Sequence, residues 1–380
     1  MKIRDIRLHA LPDVPLAQPI APAWAPGEMW VVNNPSFIEV LTDEGITGYG
    51  PAGGAGPATR LTIDERRLQS AVVPYLVGAD PFAIEQHLVV LRNAGGCWGV
   101  EIALWDVIGK ACGQPLYKLW GGYKDRVRAY SSCMEVRPGE QRAEDALARY
   151  EEGWRAIKLR IHDWDLKDDV RQVEKVREAV GGRMEVMVDA NQAQSPGTVR
   201  PQSGPKWDRQ RALDTARELQ RLGVRWLEEP LDRYDWDGLA RLCQAVEIPI
   251  AGGENNRGLH EFRWMIERDV YDIIQPDALI GVSITELRKV AVLAETHHKL
   301  VVPHHGMDGF GFLAHLHACA ALPNTPYVEM FHEPPGYPTQ VFQAALAEPL
   351  LPDGNGDILL PQRPGLGVEP RPELLKASRP

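Results

Sequence analysis

From Val127 onward the chain repeats one unit: a short apolar run, a polar residue or two at its end, then a segment long enough for one helix. The runs are "RAIKLRI", "MEVMVDA", "VRWLEEP", "IPIAGGE", "YDIIQPDA" and "KLVVPHH". Strands separated by helix-length segments must lie parallel, because only a crossover can bring the chain back to the same end of the sheet. So many units favour closure into a barrel over an open sheet.

The first part of the chain reads differently. "MKIRDIRLHAL" alternates like a strand, "DVPLAQPIAPAWAPGEMW" reads as a Pro-rich loop, and "SFIEVLTDEGITGYG" reads as a hairpin turning at "TDEG". A helical region follows from about Ile63 to Leu119, stopped by Gly121 and Gly122. The predicted organisation is an α+β capping domain over residues 1–126 and a barrel over 127–354, with segment 355–380 folding back on the first unit. Residues Gln194 to Gln210, rich in Pro, Gly and Ser, interrupt the rhythm and predict a loop at a strand end, on the face where barrels do chemistry.

A formal net charge of -10 leaves no basic stripe for nucleic acid. The cysteines, at positions 97, 112, 133, 243 and 319, form no C-x-x-C pair and read as reduced residues of a cytoplasmic protein. No apolar run is long enough for a membrane span.

Ionisable or strongly polar groups end the barrel strands: Lys158 and Arg160, Asp189 and Asn191, Glu228 and Glu229, Glu254 and Asn255, Asp277, then His304 and His305. In "WLEEP" alone, the paired acids could be served by a cation, by an arginine or by exposure in a loop. In a barrel, however, the strand ends converge on one axis. Asp189, Glu228 and Glu254 would then repel one another unless a divalent cation stood between them, and a donor set of oxygens alone favours Mg²⁺ over Zn²⁺.

These motifs, with "IEVLTDEGITGYG" and "EIALWDVIGKACGQPLYKLWGG" upstream, resemble the enolase superfamily, and within it the mandelate racemase subgroup, over nearly the whole chain in the right order. The resemblance implies a modified TIM barrel, (β/α)₇β, under an N-terminal α+β capping domain. It makes Asp189, Glu228 and Glu254 ligands of Mg²⁺. Asp277 and His304 become a dyad with the imidazole as base, His305 being the alternative. Glu329 corresponds to the eighth-strand acid that donates a hydrogen bond to the substrate carboxylate, and Lys158 adds positive charge.

The chemistry implied is removal of the proton next to a carboxylate through a metal-stabilised enediolate. Relatives that racemise carry Lys-x-Lys on the second barrel strand; here it is "KLR", and Arg160 is a poor base. Elimination therefore fits better, giving a lyase that dehydrates an aldonate or aldarate to a 2-keto-3-deoxy acid. Racemisation or epimerisation of a 2-hydroxy acid is the alternative, and an inactive barrel that only binds sugar acids is the non-enzymatic one. Arg160, Asn191, His305 and Trp24 are candidates for substrate contact, with Trp24 carried on a lid or packed between domains. Asp106 is expected to be structural and His162 to be a solvent-exposed loop residue. The expected partner is a small anionic sugar acid, with self-association of the barrel.

Overall fold

The computed structural model describes residues 1–9, 13–53, 65–193, 205–305 and 308–377. Strands β1 (Ile3–His9), β4 (Phe37–Thr42) and β5 (Thr47–Pro51) form an antiparallel sheet in the order β1-β4-β5. The hairpin between the last two turns at Gly45, whose φ of +82° suits glycine. The sheet packs on the helix Trp98–Ala111 at unusually close range, because a Cβ on Gly50 would stand 2.1 Å from the Gly99 carbonyl oxygen. Asp106 on that helix accepts from Tyr49 N at 2.9 Å and Leu366 N at 2.7 Å; it is structural, but it ties the helix to the sheet and the C-terminal segment.

The Pro-rich stretch is not simply a loop. Val14–Ile20 (β2) and Trp30–Asn33 (β3) pair as a two-stranded antiparallel ribbon. Its prolines are tolerated because, among the described residues, neither strand of the ribbon pairs with a third.

The barrel strands are β6 (Arg126–Ser132), β7 (Ala156–Arg160), β8 (Glu185–Asp189), β9 (Leu227–Glu228), β10 (Ile250–Gly252), β11 (Ile273–Ile274), β12 (Leu300–Val301) and β13 (Tyr327–Phe331). They neighbour one another in sequence order from β6 to β12, β13 lies on the other side of β6, and every pair is parallel. This is the barrel anticipated from the repeat, in the modified TIM form that the family resemblance implies. Strand β14 (Asp357–Leu359) adds antiparallel to the start of β6, and Leu116 N donates to Gly365 O, so the C-terminal segment touches both units.

Inside the barrel each strand contributes one residue to a closed apolar cluster: Tyr130, Ala156, Met187, Trp226, Ala251, Ile273, Val302 and Tyr327. Side chains alternate along a strand, so the residues two positions on must point the same way, one layer nearer the C-terminal mouth. Those residues are Ser132, Lys158, Asp189, Glu228, Gly253, Gln275, His304 and Glu329. An apolar floor thus carries a polar layer.

The 194–210 loop falls mostly outside the described residues; the following helix, Arg209–Arg221, starts from Asp208, whose carboxylate accepts from Arg211 N at 2.8 Å. Among the described residues no helix is long and apolar enough to cross a membrane.

Candidate active site

The two-residue register decides between the histidines. His304 lies two positions beyond Val302 and enters the polar layer, where its Nδ1 is 2.7 Å from Asp277 Oδ2 and its Nε2 3.2 Å from Glu254 Oε2. The His305 ring is packed as a core residue, 4.6 Å from the ring of His315 and 5.5 Å from that of Phe342, with Nε2 3.1 Å from Asp308 O. Burial first, then the neighbouring His315, push its pKa down to about 3. The expected substrate contact from the His305 side chain is thereby corrected, because aromatic rings surround it.

The same register places Glu228, not Glu229, in the layer. Glu228 Oε1 accepts from Lys158 Nζ at 2.7 Å, and its Oε2 accepts from Trp226 Nε1 at 3.2 Å and Gln275 Nε2 at 2.8 Å. At Glu229 the backbone turns to φ +47°, a left-handed conformation that ends the strand alternation. Asn191 shows the same feature at φ +48°. Its backbone N and its Nδ2 donate to the two oxygens of Asp189, at 2.8 and 3.1 Å, so it holds that carboxylate in place.

Lys158 is fully buried and lies 2.8 Å from Glu329 Oε1 as well as against Glu228. Burial alone would lower its pKa, but Glu228 and Glu329 raise it well above the ordinary value. Arg160 is equally buried. Its fork is spent on protein groups: Nε on Cys133 O at 2.8 Å, Nη2 on Ser132 Oγ at 3.1 Å, and Nη1 on Asp189 Oδ2 in a short ion pair. Trp24 lies over this guanidinium, 5.1 Å from its ring centroid, and stacks on Phe331. His162 is half-buried behind Arg160 rather than solvent-exposed; burial, then Arg160, lower its pKa.

Six carboxylates meet here, those of Asp189, Glu228, Glu229, Glu254, Asp277 and Glu329, against the charges of Lys158, Arg160 and His304. Against burial, the cations hold Glu228, Asp277 and Glu329 below the ordinary carboxylate range, and the excess falls on the other acids. Burial, then Glu228, raise Asp189 to about 7 despite Arg160 and Lys158; burial, then Glu254, Asp189 and Glu228, raise Glu229 well above the carboxylate range. Burial would lower His304, yet Glu254, Glu329 and Asp277 hold it up at about 10.

A hard divalent cation suits this donor set. Buried Glu254 Oε2 accepts no hydrogen bond and has only the His304 imidazole, 3.2 Å away, to balance its charge. Among the described residues no three acid, histidine or cysteine side chains are already gathered as a metal cage, since Asp189 is turned to Arg160 and Glu228 to Lys158.

Sequence reasoning did not name Gln275, Trp226 or Ser132. Counting by twos from the apolar run of each strand would have found all three.

A capping α+β domain over a barrel whose C-terminal mouth carries acids, a buried lysine and a His–Asp pair defines the enolase-like class. Residues 141–374 match the enolase C-terminal domain-like family and residues 25–121 the mandelate racemase / muconate lactonizing enzyme N-terminal domain, and the chain belongs to this superfamily. It is 30% identical to an arabinonate dehydratase of Saccharolobus solfataricus, over 87% of this chain and 86% of the relative. A crystal structure of the L-talarate/galactarate dehydratase of Salmonella typhimurium LT2, liganded with Mg and L-lyxarohydroxamate, superposes with a TM-score of 0.82 at 27% identity, covering 100% of this chain and 93% of that one. A racemase from Streptomyces coelicolor A3(2) with bound magnesium gives 0.81 at 27% identity, covering 99% of each chain.

Proposed function

We propose that the protein is a Mg²⁺-dependent dehydratase of a sugar acid, an aldonate or aldarate, with His304 as its one acid/base. Asp189, Glu228 and Glu254 would hold the metal, which as a Lewis acid supplies stabilisation of the negative charge building on the substrate carboxylate.

The chain's own residues then divide the work. Asp277 accepts the Nδ1 proton of His304 and fixes the tautomer that leaves Nε2 as the base. Glu254 is the acid that most raises the His304 pKa, so in the role of metal ligand it would hold the imidazole less firmly as a cation. Nε2 takes the proton from the α-carbon and gives it to the β-hydroxyl, which leaves as water. The resulting enol becomes a 2-keto-3-deoxy acid. Lys158 adds positive charge near the carboxylate; the expected donation from Glu329 is corrected, because, against the cost of burial, Lys158, His304 and Arg160 hold its carboxyl well below the usual range, and as an anion it pairs with Lys158.

The observation that carries this reading is the state of the groups from the second barrel strand. Lys158 and Arg160 are both locked in buried ion pairs as cations, so neither can act as a second base. One base favours elimination over inversion. The dehydratases among the relatives support the same choice. The test is an assay of purified protein with Mg²⁺ against a panel of aldonates and aldarates. A 2-keto-3-deoxy product is expected; inversion at the α-carbon with no keto acid overturns the proposal in favour of racemisation.

A further inference from the structure

Away from the barrel mouth, a cavity of about 710 Å³ opens where the capping domain meets the helix Ile284–Thr296. Phe82, Ile84, Trp105, Thr285, Arg288 and Val292 are among its walls. Its size is that of a small-molecule site, and such sites favour domain seams.

Arg288 is the unusual member. It makes no ion pair or hydrogen bond among the described residues, and its Nε is buried without an acceptor. The guanidinium lies 5.9 Å from the ring centroid of Trp105 and 5.0 Å from that of Trp120, whose own Nε1 is also buried and unpartnered. The Arg288 Nε–H is therefore an orphaned donor beside a cavity lined mainly by apolar groups, an arrangement that costs stability unless an acceptor arrives.

The neighbouring charges cannot supply it. Both carboxylate oxygens of Glu101, the acid that acts on Arg288 electrostatically, accept from Ile284 N and Thr285 N at 3.0 Å. Glu286 is paired with Arg92 at 2.5 Å, and Glu85 with Lys289 at 2.8 Å. In a chain of net charge -10, an arginine left over from every local pairing is a vacancy for an anion. A planar guanidinium held against indole faces matches a planar carboxylate.

We propose that this cavity is a second ligand site, taking a small carboxylate with a flat apolar body and anchoring it on Arg288. The apolar part lies along Phe82, Ile84 and Val292, and the carboxylate oxygens accept from the Arg288 fork.

Benzoate is the probe, with benzamide as its uncharged counterpart, titrated into the full-length Mg²⁺-loaded protein by calorimetry and tryptophan fluorescence. Benzoate is expected to bind saturably and at least tenfold more tightly than benzamide. R288Q should weaken benzoate at least tenfold. V292W, which fills the mouth from an exposed position, should do the same without touching the cation. Equal affinity for the two probes overturns the proposal. So does benzoate binding that survives both substitutions, which would place it at the barrel mouth, or a crystal grown with benzoate that shows only ordered water on Arg288.

Discussion

His304 Nδ1 stands 2.7 Å from Asp277 Oδ2, and the carboxylate that orients this imidazole is itself fixed: its Oδ1 accepts from Leu279 N at 2.6 Å and Ile280 N at 3.1 Å. D277N keeps the shape but can present an amide N–H to the imidazole, favouring the wrong tautomer. The expected outcome is a fall in kcat of about 10- to 100-fold, the usual effect of losing a residue that orients another, with a smaller change in KM. Steady-state kinetics of the variant checks it.

Arg160 gathers Cys133 O, Ser132 Oγ and Asp189 into one arrangement, which a lysine cannot reproduce. R160K is expected to weaken Mg²⁺ binding by about tenfold or more, because Asp189 loses its orientation. Calorimetric titration of the metal-stripped variant with Mg²⁺ reads this directly. Unchanged affinity would mean that Arg160 serves another purpose.

The two units are joined partly through Phe310, fully buried, whose ring lies 5.7 Å from Phe37 and 6.0 Å from Tyr49 of the capping sheet. F310A should cost about 3–5 kcal/mol, the range for emptying a buried aromatic site. Denaturant unfolding measures it.

Asp308 starts the helix Gly309–Ala321 by accepting from Phe310 N and Gly311 N, yet burial raises its pKa to about 7 against those two bonds. An acid whose folded pKa exceeds its unfolded value of about 3.9 contributes most below that value, and the contribution is lost as pH rises through about 7. D308N keeps the cap and removes the buried charge. Its melting temperature should match the wild type near pH 4 and exceed it by a few degrees at pH 8; a gap independent of pH would contradict the assignment.

How far the sequence reached can be judged from single residues. The barrel was legible because strand and helix patterns alternate from Val127 onward, and strand-end polar residues other than His305 meet at one mouth. The choice of His304 over His305 was legible in principle too, since it follows from the two-residue period once Val302 is placed on the floor. The commitment of Arg160 was not, because its partners come from β6, β8 and the residue after β6, and only the folded barrel brings them within reach. Nor could the β2–β3 ribbon be read through its prolines, which argue against strand locally while leaving an edge strand open. The contact between Gly50 and Gly99 is likewise invisible until sheet and helix meet.

The central claim is that His304 removes the α-proton while Asp189, Glu228 and Glu254 hold the metal. It is tested most directly with H304N, by following both Mg²⁺ affinity and the loss of α-hydrogen from a sugar acid that the wild-type protein turns over. The account predicts Mg²⁺ binding close to wild type and a fall in α-proton removal of at least about 100-fold. Retention of wild-type proton removal by H304N would contradict it.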